Sequence, residues 1–199
     1  MEASEPVTDE ILRSHPAHRA EVARDTAAMV ARPEHRGVAP EVFLERFREF
    51  VDEAGLDTLQ ELWGDQPPTS LAGALWRMVQ IRHYVLTHPE TMATLFSRGS
   101  HVLPTIDPVI AGVPDPIDAD GVVRVIDSVL SGALHGGLAD ALSRVAAFAR
   151  VIAAGVLSVT ESENHDGRSR SVLLGTLSWR LIADEVDRAA WLERHGRLQ

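Results

Sequence analysis

Apolar positions are densest over Leu138–Val159, LADALSRVAAFARVIAAGVLSV, where Asp140, Ser143, Arg144, Arg150 and Ser158 are the polar residues. The stretch holds no proline and is dominated by Ala, Val and Leu. This pattern predicts a long helix buried on most of its circumference, with other helices wrapped around it.

The remaining elements follow from the same periodicity. A small-residue stripe of Ala20, Ala23, Ala27 and Val30 runs from the breaker Pro16 to about Ala31. Pro40 suits a first helical position. After it, Phe43, Phe47, Phe50 and Val51 recur at i, i+4, i+7 and i+8, while Glu45, Arg48, Glu49 and Asp52 face away. Gly55 stops that helix, and Asp57–Trp63 reads as a short one before the breakers Gly64–Pro68. Thr69 or Ser70 caps a long helix reaching Thr87. Leu71, Leu75, Met78, Val79, Val85 and Leu86 form its wide face, with Trp76, Ile81 and Tyr84 off it. That helix is expected to be a second interior one, packed against the hub.

Pro89-Glu90 opens a segment to about Arg98. Gly99–Gly121, with Pro104, Pro108, Pro114 and Pro116, reads as turns. Asp118 or Asp120 caps a further helix that Gly136-Gly137 closes, and a final helix spans about Ser171–His195. The fold expected is all-α: an orthogonal or irregular bundle of about six to eight helices around the central helix 138–159. One domain covers 1–199, with 1–7 as a flexible tail and 160–170 as a mobile surface loop.

Composition mainly excludes chemistry. The chain has no Cys, and all 19 basic residues are Arg. Thiol catalysis, thiolate metal sites, Schiff bases and the phosphate-loop lysine are therefore out of reach. The net charge of −10 is uneven: residues 1–70 carry 15 acids against 7 Arg. An acidic chain with no basic block disfavours nucleic acid as a partner. Arg144 and Arg150 interrupt the hub too often for a membrane span. With an acidic N-terminal stretch in place of a signal peptide, a cytoplasmic protein is expected.

Motifs are sparse. No Glu-x-x-His or His-Glu-x-x-His pattern occurs, no glycine-rich nucleotide loop and no nucleophile elbow, so neither a metal nor a cofactor is expected. Asp118, Asp120 and Gly121 match three positions of a calcium loop. Pro116 occupies its first ligand position, and helix capping is the simpler role for the two acids. Arginines on interior helices carry the one chemical question. A buried guanidinium must be paired or must bind an anion. Arg77, Arg82, His83, Tyr84, Arg144 and Arg150 are thus the candidate lining of an interhelical pocket for a carboxylate or phosphate.

Leu75-Trp76-Arg77, Ile81-Arg82, Pro89-Glu90 and Ala146–Gly155 resemble a group of all-helical actinobacterial proteins of no assigned function. That resemblance implies a bacterial source and transfers no catalytic residue. The leading expectation is a non-catalytic interaction or regulatory protein acting as a homodimer, or binding another protein. The small-residue faces of the hub, or the last helix with Trp179 and Trp191, would supply the interface. The alternatives are an anion-binding module using the Arg-lined pocket and a metal-dependent helical-bundle enzyme.

Overall fold

The computed structural model describes residues 16–32, 49–51, 53–103, 118–121, 123–124, 127, 137–162 and 169–199. All regular structure among them is helical. The principal helices are α1 (Pro16–Ala31), α2 (Leu56–Trp63), α3 (Leu71–Thr87), α4 (Pro89–Val102), α5 (Leu138–Ser162) and α6 (Ser169–Arg194). The expected tail 1–7, the apolar positions Phe43 and Phe47, and the proline-rich segment 104–117 lie outside the described residues.

Local chemistry explains most helix boundaries. Ser70 adopts an extended conformation, and its hydroxyl accepts from the Gly73 N–H, so it is the cap of α3. Pro89 opens α4 at a position where its missing N–H costs nothing. Asp118 Oδ1 accepts from Gly121 N–H at 2.6 Å, which is a cap and uses one carboxylate oxygen of the calcium-like motif. Gly55 adopts φ +74°, and the Gly55 N–H donates to the Val51 carbonyl, ending the preceding turn.

The hub is as expected. Between Leu138 and Gly155, its side chains Ala141, Leu142, Val145–Ala149 and Val151–Ala154 are buried. It runs to Ser162, three residues into the stretch read as a loop, and α6 begins at Ser169. Residues 163–168 lie outside the description. By length and composition Leu138–Val159 could cross a membrane, yet 61% of its apolar 18-residue window is buried inside the protein. Phe148 stacks on Phe96 of α4 with centroids 5.7 Å apart.

The neighbours of the hub differ from expectation. α3 is an interior helix, with Leu71–Trp76, Met78, Val79, Ile81 and Val85 buried. It touches α5 only sparsely, however, and α5 packs chiefly on α6 and α4. The reason is visible on α6. Glu185 reaches Arg77 of α3 while Asp187, about 200° further round the helix, reaches Arg150 of α5. Helix α6 therefore stands between the two helices that periodicity alone would pair.

Candidate functional site

Four arginines were candidates for one pocket, and the structure distributes them. Arg77 Nε donates to Glu185 Oε2 at 2.8 Å, with both side chains about one-fifth exposed or less. Arg82 Nε donates to Asp127 Oδ1 at 3.2 Å. Arg150 Nη2 lies 2.8 Å from Asp187 Oδ2 at a more exposed position. Arg77 and Arg150 are thus held on two different sides of α6. Arg144 is half-buried, and neither a hydrogen bond nor an ion pair ties it to any described residue.

The other two candidates face outward. His83 is exposed. Tyr84 is 43% exposed, stacked on His88 at 4.6 Å and edge-on to Trp179 of α6 at 5.7 Å. The small residues of the hub, Ala146, Ala147, Ala153, Ala154 and Gly155, are buried within the chain itself. That leaves the outer face of α6 as the other interface candidate. There Trp191 is 38% exposed. His195 stacks on its indole at 4.2 Å, and the Arg188 and Arg197 guanidinium carbons lie 4.7 and 5.8 Å from the ring centroid. These spacings are within cation–π range.

Sequence reasoning did not single out a second feature. Helices α1, α2 and α3 border an open cleft of about 620 Å³, lined by Arg19, Gln60, Glu61, Gly64, Asp65, Trp76 and Gln80. Its volume is within the range of small-molecule sites. Arg19 Nη2 spans it to Asp65 Oδ2 at 2.9 Å. Arg19 and Asp65 are 46 residues apart, and no short motif joins them. The one available signal was Trp76, an indole off the apolar face of its helix.

Among the described residues, no group of His, Asp and Glu could hold a metal ion. No family model, no curated protein and no solved structure matches this chain.

Proposed function

We propose that this protein is a non-catalytic, cytoplasmic interaction or regulatory protein that acts as a homodimer through the outer face of α6. The observation that carries the reading is Trp191 with two guanidinium groups and an imidazole ring around it. An exposed indole flanked by Arg188, Arg197 and His195 has the composition of an interface anchor, because Trp and Arg supply a disproportionate share of binding energy. The indole is already stacked, so a partner covering it removes little side-chain freedom. A second copy offers suitable chemistry: Glu21, Asp25, Glu53 and Asp57 are exposed on the N-terminal helices, and an acidic surface complements an arginine-rich patch. A two-fold axis would make each such contact twice. Burial of the hub by its own chain supports the soluble placement.

Light scattering on the full chain at tens of micromolar tests this. The expected mass is twice 21.7 kDa, and Trp191→Ala moves it to that of one chain. A monomeric parent protein overturns the reading.

Arg144 favours a narrower second reading, an anion site at the hub, because its half-buried guanidinium has no partner among the described residues. Thermal shift with phosphate and citrate, on the parent protein and on Arg144→Met, tests it. No stabilisation, or equal stabilisation of both proteins, removes it.

A further inference from the structure

Two buried tryptophans belong to the hydrophobic core, and their indole N–H groups are satisfied differently. Trp63 is fully buried, and its Nε1–H donates to Thr26 Oγ1 at 3.1 Å. Trp76 is 5% exposed, and its indole N–H has no acceptor among the described residues. A buried indole N–H nearly always has a partner, and leaving one unmade costs the desolvation of the donor. Trp76 is one of the residues lining the cleft between α1, α2 and α3, so an acceptor bound there lies against this side chain.

The rest of the wall defines the ligand. The cleft carries one cation, Arg19, against two carboxylates, Glu61 and Asp65. Asp65 is engaged by Arg19. Glu61 is exposed and has no ion pair among the described residues. Gln60 and Gln80 also line the cleft, and each amide offers both a donor and an acceptor. The excess of negative charge disfavours a simple anion.

We propose that this cleft binds a small polar molecule carrying a carbonyl or hydroxyl acceptor beside a cationic amine or guanidinium. The acceptor takes the Trp76 N–H, and the cationic end pairs with Glu61. No covalent step is involved.

The test uses the 15N-labelled full chain, in which the four tryptophans give four indole N–H resonances. L-argininamide is the probe, and L-glutamate is the charge-reversed control. Trp76→Phe assigns the resonance. If that core variant fails to fold, each surviving indole is assigned instead by Trp191→Phe at the exposed position and Trp179→Phe at the part-buried one, with Trp63 separated by its response to Thr26→Val. Argininamide is expected to move the Trp76 resonance saturably and to leave Trp179 and Trp191 in place. The exposed change Glu61→Gln should weaken binding by roughly tenfold, the loss of one charge-assisted contact. An unmoved Trp76 resonance overturns the site. Equal response to glutamate, or binding indifferent to Glu61→Gln, overturns the assignment of ligand class. The readout is independent of oligomeric state, so a monomeric protein does not bear on it.

Discussion

Gly99 of α4 lies so close to Val151 of α5 that a β-carbon on the glycine would overlap the Val151 carbonyl oxygen. One turn away the relation is reversed, with Gly155 of α5 against the Leu95 carbonyl of α4. The two helices therefore run antiparallel with their backbones in contact. Each glycine forgoes about 1 kcal/mol of helix propensity relative to Ala, and the close approach packs Phe96 against Phe148.

Gly99→Ala and Gly155→Ala should therefore both destabilise the protein, against the trend of intrinsic propensity. Overpacking against backbone, which cannot rotate away, costs about 1–3 kcal/mol. Urea denaturation of each variant checks this, and a rise in the midpoint for either would show that the helices are not in backbone contact there.

The Arg77–Glu185 pair should behave as scaffold. Both side chains are mostly buried, so removing one partner leaves a charge poorly solvated. Glu185→Gln is expected to cost about 1–2 kcal/mol, and Arg77→Met with Glu185→Gln less than the sum of the single changes. A double-mutant cycle in urea gives the coupling. A coupling near zero would release Arg77 for a ligand role.

These two relationships mark what the sequence could and could not convey. The hub and the Ser70 cap were legible because both are local: an apolar run without proline, and a hydroxyl three residues before an N–H. Gly99 was read as the start of an irregular segment, since a glycine that ends a helix and one that admits a neighbour look alike until the neighbour is placed. The arginines were legible only as a question. The partner of Arg77 is 108 residues away, and no periodicity connects α3 to α6. The cleft was not legible, because its defining feature is an indole N–H on Trp76 with no acceptor among the described residues. Phe50, from the cleanest amphipathic pattern, does pack on the core, 5.4 Å from Trp63 between ring centroids.

Thr26 has a role that its helix position hides. Its hydroxyl donates to the Val22 carbonyl at 2.8 Å and accepts the Trp63 indole N–H. Thr26→Val keeps the shape and removes the acceptor, stranding a donor on a fully buried side chain. The expected cost is about 1–3 kcal/mol, read as a lowered urea midpoint. It should be accompanied by an upfield shift of the Trp63 indole proton. A neutral substitution would mean that the indole finds another acceptor.

The segment after α6 is clasped onto the start of α3. The Arg32 guanidinium donates to the Leu198 carbonyl at 2.6 Å and to Glu193 Oε2 at 3.1 Å. The Leu71 N–H, one of the first-turn donors that a helix cannot satisfy itself, donates to the Gln199 carbonyl at 2.9 Å. Leu198 is 1% exposed between these bonds. Apolar burial and the two backbone contacts support one another: without the leucine anchor, ordering the segment costs more than its hydrogen bonds return. Leu198→Ala should cost about 2 kcal/mol, the low end for a buried leucine, because a released segment can move to water instead of leaving a cavity. The same variant should speed hydrogen exchange at the Leu71 amide while leaving Ala74 protected, since the Ala74 N–H is bonded to the Ser70 carbonyl. Arg32→Ala should reproduce the exchange effect more weakly. Unchanged exchange at Leu71 in Leu198→Ala would mean that the clasp is held by Arg32 alone.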